Sequence, residues 1–178
     1  GVPAALLMAN LQANFRLMAG EQGESNHLVN RLNTIIYENT TRDKFITFFY
    51  CTIDPNSSKL VYCNAGHNYP MVIRANGEME TLRTGGLILG AISKFEDESG
   101  SVDFQIGDCC VLFTDGIIEA MDKDGEEFSE ERVLEIINTN GDISATKMTD
   151  KILQGVQQHL GGQEQQDDIT LIVVKRIA

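Results

Sequence analysis

Three aspartates stand where strands would begin or end. Asp115 follows the unbroken apolar run Cys109-Cys110-Val111-Leu112-Phe113, and Asp167 and Asp168 directly precede a second run, Ile169-Thr170-Leu171-Ile172-Val173-Val174. Short runs of this kind read as strands buried on both faces, so each acidic point is delivered by a rigid element. Gly116 lets the chain turn tightly beside Asp115, and Ile117-Ile118-Glu119-Ala120 can begin a short helix. If the strands are neighbours, up to three carboxylates share one sheet edge. Crowded carboxylates repel one another and are costly to desolvate unless a cation answers them. A hard divalent ion, magnesium or manganese, takes a shell of carboxylates and waters, and its open water positions host hydrolytic chemistry. One Asp-Gly dipeptide alone reads as a surface turn. Two acidic points anchored on strands shift that reading towards a metal site.

Other chemistry-bearing residues are weaker. His67 lies in Asn64-Ala65-Gly66-His67-Asn68-Tyr69-Pro70, a loop by its glycine, asparagine and proline content. It could donate a proton or touch a phosphate, but a lone loop histidine is more often a structural hydrogen-bonder. The glycine-punctuated stretch at residues 84–90 could cradle an anion through its backbone N–H groups. It matches neither nucleotide-binding pattern, having no Gly-x-x-x-x-Gly-Lys and no strand–loop–helix context. Residues 122–127 invite a calcium reading, yet with Gly125 at the sixth position of an EF-hand loop the first would be Ala120, which has no ligand oxygen. An acidic solvated turn is expected there. Cys51, Cys63, Cys109 and Cys110 sit in apolar strand-like runs without Cys-x-x-Cys spacing, which reads as reduced, buried thiols in a cytoplasmic setting. His27 and His159 are assigned no role.

The elements that must position these residues follow from periodicity. Leu7, Leu11, Phe15 and Met18 form one helical stripe behind Pro3, and Leu28, Leu32, Ile35 and Ile36 form another behind Ser25, a cap. Residues 45–53 and 59–63 flank the turn Asp54-Pro55-Asn56-Ser57-Ser58, which predicts a hairpin. Residues 71–74 and 79–82 flank Asn76-Gly77 and predict a second. Val102, Phe104 and Ile106 alternate as a half-buried strand, and the turn Gly107-Asp108 predicts a third hairpin into the Cys109 strand. Ser129 is expected to cap one late helix, with Glu130 and Glu131 in its first turn. Ser144 is expected to cap another, with Met148, Ile152, Val156 and Leu160 at four-residue spacing and Gly161-Gly162 ending it. Hairpin-rich strands with two helices early and two late predict antiparallel sheets covered by helical layers, an α+β chain arranged as an α/β/β/α sandwich.

The composition sets the outer bounds. A chain of 178 residues with 42% apolar content suits one domain with a real core. Its 26 acidic against 14 basic residues, a net charge of -12, argue against a nucleic-acid backbone or an anionic membrane surface as partner. A bound metal would offset part of that excess. No apolar run is long enough to span a bilayer.

Taken together, Gly1-Val2-Pro3-Ala4-Ala5-Leu6, Asn64-Ala65-Gly66-His67, residues 85–90, Phe113-Thr114-Asp115-Gly116 and Asp167-Asp168-Ile169-Thr170 resemble the SpoIIE-like bacterial branch of the metal-dependent type-2C protein serine/threonine phosphatases. The match runs along essentially the whole chain, in order, and residues 113–128 are especially characteristic. The resemblance implies a four-layer α/β/β/α sandwich and a two-metal Mn²⁺ or Mg²⁺ site. It also implies hydrolysis of phosphoserine or phosphothreonine on a regulatory protein such as a phosphorylated anti-sigma factor antagonist. Asp115 and Asp167 are then metal ligands, and Asp168 orients water or a ligand. Gly66, His67 and Gly116 fall in the family's loops near substrate or in structural turns. The family's first metal motif, Asp-x-x-Gly-x-Gly, directly precedes the Val-Pro-Ala-Ala segment, and Gly1 corresponds to its last glycine. The resemblance therefore implies a partial domain over residues 1–178, lacking the first strands and the bridging aspartate. Such a piece is expected to be inactive or impaired, and its parent to carry an upstream sensory or receiver domain. The alternative function is a pseudophosphatase that binds a regulatory protein without hydrolysis.

Overall fold

The computed structural model describes residues 2–19, 25–41, 43–94, 96–140 and 143–177. In chain order its elements are α1 (Val2–Met18), α2 (Ser25–Asn39), β1 (Phe48–Asp54), β2 (Lys59–Ala65), β3 (Met71–Ile73), β4 (Met79–Thr81), β5 (Gly85–Gly86), β6 (Gly100–Asp103), β7 (Cys109–Phe113), α3 (Asp115–Ile118), α4 (Ser129–Thr139), α5 (Ala145–Leu160) and β8 (Leu171–Lys175). The α+β class holds: among the described residues there are two sheets, rich in antiparallel pairs, and five helices. The chain divides into two compact units, Gly1–His67 with Leu82–Asp103, and Asn68–Thr81 with Phe104–Ala178.

In the first unit β1 and β2 pair antiparallel from Phe48↔Ala65 to Asp54↔Lys59. β6 joins one half of β2 antiparallel, and β5 joins its other end in parallel. The two apolar stripes act as expected. Leu11 and Met18 of α1 and Val29, Leu32 and Ile36 of α2 are buried in one cluster with Ile46, Cys63, Ala65 and Leu89. The first hairpin is shifted from its sequence signal: β1 begins at Phe48, not Phe45, and Asn64 and Ala65 continue β2 and are buried instead of opening the loop. The glycine stretch has a packing reason. A Cβ on Gly85 would lie 1.9 Å from the carbonyl oxygen of Asn64, so only glycine lets β5 run against β2.

In the second unit the strand order is β4-β3-β7-β8, every neighbour antiparallel. The four-residue stripe of α5 is buried, at 0–8% exposure, with Phe128, Val133 and Ile137 and with Met71, Ile73, Val111 and Phe113 of the sheet. Each such side chain contributes about 2 kcal/mol by leaving water. Ser144 caps α5, its Oγ accepting the Lys147 N–H at 3.3 Å.

Three expectations are corrected. The segment through Gly107-Asp108 is not a hairpin, since β6 pairs with β2 and β7 with β3 and β8. Asp108 is the cause: its buried carboxylate accepts the Ala75 N–H at 3.0 Å and the Gln105 N–H at 2.8 Å and meets the Arg74 guanidinium at 3.1 Å, which docks the turn beside the end of β3. Ser129 does not cap α4. It is the first helical residue, with φ +67°, and Phe128 precedes it with no side-chain cap bond. The last strand begins at Leu171, not Ile169, and is only half-buried, with Ile172 at 51% exposure.

Candidate metal centre

The second unit brings Asp115, Gly116, Asp167 and Asp168 together through the β7–β8 pair, whose register ends at Phe113↔Leu171. Thr114 knits the two chain segments just beyond that pair. Its N–H donates to the Thr170 carbonyl at 3.1 Å, its Oγ1 accepts the Thr170 N–H at 2.9 Å, and the same hydroxyl donates to the Asp168 carbonyl at 3.2 Å. Asp115 then opens the single turn of α3 with Thr114 extended before it. Gly116 is buried against the facing segment, so close that a Cβ there would lie 2.6 Å from the Asp168 carbonyl oxygen and 3.3 Å from that of Asp167. The glycine that the sequence marks as a turn residue is thus required for the approach of the two acidic segments.

All three aspartates are exposed at this end of the sheet. Oδ1 of Asp115 accepts the Gly116 N–H at 3.0 Å, and Oδ1 of Asp167 accepts the Asp168 N–H at 2.7 Å. Gln165 donates to the Asp167 carbonyl at 2.6 Å. These bonds orient each carboxylate through one oxygen and leave the other for a further partner. Among the described residues no three His, Cys, Asp or Glu side chains converge as a ready-made metal cage. Two exposed, backbone-oriented carboxylates on abutting segments do fit a magnesium-type ion, which is commonly held by one or two carboxylates with water completing its shell. Asp115 and Asp167 are the residues that would hold it.

Gly66 and His67 belong to the first unit. The buried Asn64 side chain clasps the loop: its Oδ1 accepts the His67 N–H at 2.8 Å and its Nδ2 donates to the His67 carbonyl at 3.0 Å. The half-buried imidazole places Nδ1 3.3 Å from Thr47 Oγ1. Gly66, at φ +69°, has no room for a side chain beside Ile88. These contacts give the loop a fixed shape.

The acidic turn after α3 is self-contained. Asp122 Oδ1 accepts the N–H groups of Asp124 and Glu126, each at 2.9 Å, and the Glu126 bond chiefly holds its carboxyl below the usual range. His159 joins this turn to α5, its Nε2 lying 2.8 Å from the Glu126 carbonyl oxygen. The four cysteines are free. Burial raises the Cys51 and Cys109 thiols, and burial with the nearby Asp97 charge pushes Cys63 up to about 12, so none of these three is a ready thiolate nucleophile. Sequence reasoning missed the clasp by Thr114 and the one by Asn64, although both lie inside segments it singled out.

Comparison with known proteins gives the family and the fold. The family model for Stage II sporulation protein E (SpoIIE) matches residues 1–177. Phosphoserine phosphatase RsbU of Bacillus subtilis is 28% identical over 184 residues, an alignment covering 99% of this chain and 52% of RsbU. The chain spans 32% to 52% of the length of the first curated relatives it matches. The RsbU and RsbW domains of Rv1364c from Mycobacterium tuberculosis superpose with a TM-score of 0.80 at 23% identity, covering 100% of this chain and 50% of that one. The catalytic domain of the serine threonine protein phosphatase PstP, in complex with two manganese ions, superposes with a TM-score of 0.68 at 14% identity, covering 98% of this chain and 82% of that one. No helix among the described residues is long and apolar enough to cross a membrane. A family match over nearly every residue, with Asp115 and Asp167–Asp168 held at one end of the β7–β8 pair, makes this chain a member of the SpoIIE family with the fold of its PP2C phosphatase domains.

Proposed function

We propose that the chain is the catalytic domain of a metal-dependent protein serine/threonine phosphatase, acting in the cytoplasm on a phosphorylated regulatory protein of the anti-sigma factor antagonist type. The observation that carries this reading is the clasp of Thr114 and Gly116 on residues 167–170, which holds Asp115 and Asp167 at the abutting ends of two paired strands. Kinship with RsbU and with the RsbU and RsbW domains of Rv1364c supports the substrate class. Asp115 and Asp167 hold Mn²⁺ or Mg²⁺, as the two manganese ions of PstP support, and Asp168 orients water or a ligand. What a bound ion supplies is Lewis acidity toward water and toward the phosphoryl oxygens. The chain's own contribution is positional: strand ends and backbone N–H groups hold the carboxylates still, so little reorganisation is needed when a phosphorylated side chain arrives.

The test is manganese-dependent release of phosphate from a phosphoserine protein, run on this chain and on a form extended upstream through the expected Asp-x-x-Gly-x-Gly motif. Asp115→Asn and Asp167→Asn, made in whichever form is active, should lower turnover by about a hundredfold or more while leaving the thermal midpoint unchanged or raised, because each removes an exposed carboxylate from an acidic neighbourhood. Equal loss of fold and turnover would make these residues structural. Tight binding of the phosphoprotein without release of phosphate by either form would instead establish a regulatory binding module.

A further inference from the structure

In the first unit, the early part of α2, Ser93, Lys94 and residues 96–101 enclose an open groove of about 1230 Å³. Asp97 lines it and is 3% exposed. Its backbone N–H donates to Asn30 Oδ1 at 2.9 Å, and the Leu87 backbone N–H bonds its carboxylate, yet Oδ1 accepts no hydrogen bond from the protein. A buried carboxylate oxygen left so carries a desolvation cost that a donor entering the groove would relieve. On either side of Asp97 the exposed Glu96 and Glu98 line the same groove, together with the Lys94 ammonium and the His27 imidazole.

We propose that this groove docks a basic segment of a partner protein, one arginine or lysine of which donates to Asp97 Oδ1. The occupant follows from three features. Its charge must answer a groove with three carboxylates, on a chain of net charge -12. Its donor is a hydrogen-bonding organic cation, since what Asp97 Oδ1 lacks is a single hydrogen bond, which one N–H group supplies. The groove also exceeds the roughly 300–1,000 Å³ usual for small-molecule pockets, which suits a length of polypeptide. A charged side chain seated on a buried opposite charge, with a polar rim, is the arrangement of an interface hot spot. The groove shares no residue with those assigned to phosphate release, so its test does not depend on them.

The experiment is a titration of the ¹⁵N-labelled chain at fixed ionic strength with a blocked Gly-Arg-Gly-Arg-Gly peptide. Parallel arms use the same peptide with glutamine for arginine, agmatine as a free guanidinium, and calcium chloride. The expected result is saturable shifts of the Leu87, Asp97 and Ser99 amides with the arginine peptide, and binding weaker by about tenfold or more for the glutamine peptide and for the Asp97→Asn protein. Glu98→Gln, which removes a rim charge only, should weaken binding less. Equal binding by Asp97→Asn, agmatine binding as tightly as the peptide, response to calcium alone, or no saturable shift would each overturn the proposal.

Discussion

Replacing Asp97 by asparagine should stabilise the protein, and by an amount that depends on pH. Burial pushes the Asp97 carboxyl up from its ordinary 3.8 to about 6, against a smaller opposing effect of the Leu87 N–H. Two pH units at 1.36 kcal/mol each make the ionised form about 3 kcal/mol worse in the folded chain than in the unfolded one. The sign follows from proton binding. Between pH 4 and 6 the folded state holds more of this proton than the unfolded state, so wild-type stability falls as pH rises through that window. Below it the penalty is absent, and above it the penalty is complete. Asparagine keeps the shape and an acceptor for Leu87 but carries no charge. Urea unfolding of both proteins between pH 4 and 8 should therefore show a gap that is near zero at pH 4 and grows to about 3 kcal/mol by pH 7, equivalent to about 6–12 °C in thermal midpoint for a chain of this size. Asp43, Asp54, Asp122 and Glu131 have lowered values, favour folding above their ordinary range and slope the other way. They are common to both proteins and cancel in the difference. A gap that does not change with pH, or a variant less stable than wild type at pH 8, would refute the reasoning.

Gly116→Ala should cost about 1–3 kcal/mol, because its Cβ must push the Asp168 carbonyl from 2.6 Å to an ordinary contact distance. On the proposed function, the displacement of residues 167–168 should also cut turnover about a hundredfold in whichever form releases phosphate, and steady-state assays beside thermal melts would show whether turnover falls further than stability. Gly85→Ala should destabilise by about 3 kcal/mol or more, since its Cβ would meet backbone at 1.9 Å. Hydrogen exchange at the Asn64 amide, which donates to the Thr84 carbonyl at 3.0 Å, should accelerate in that variant, and unchanged protection there would contradict the packing account.

What local pattern dictates was legible in the sequence. The α5 stripe, the β7 run ending at Asp115 and the Asn76-Gly77 hairpin are each set by neighbours a few residues away, and each appears as expected. The failures share a cause. Gly107-Asp108 has the composition of a hairpin turn, but the Asp108 carboxylate bonds Ala75, far off in sequence, and that bond decides which sheet the next strand joins. Ser129 has the right type and position for a cap, and only its backbone angle rules the role out. Asp115 and Asp167 were legible as candidates because carboxylates at strand ends stand out. Thr114 was not, since its part depends on a strand pairing that composition does not announce. Asp97 reads from sequence as one more surface acid, and only its burial marks it.

The division of the chain into units bears on how the protein is made. Residues 1–67 are made before the rest of their unit, residues 82–103, and the other unit's β3 and β4 emerge in between. Met71–Ile73 then waits for β7, and β7 for Leu171–Lys175, far later in the sequence. Growing chains therefore pass through an interval, until β7 and β8 have emerged, in which β3 presents an unpaired edge and the second unit's apolar cluster is open, whereas the first unit has all of its residues by Asp103. The first unit can close during synthesis, while the second gains from protection until β8 is made. A chain stopped before β8 is consequently expected to meet the quality-control machinery of its cell rather than to persist as a partly working piece.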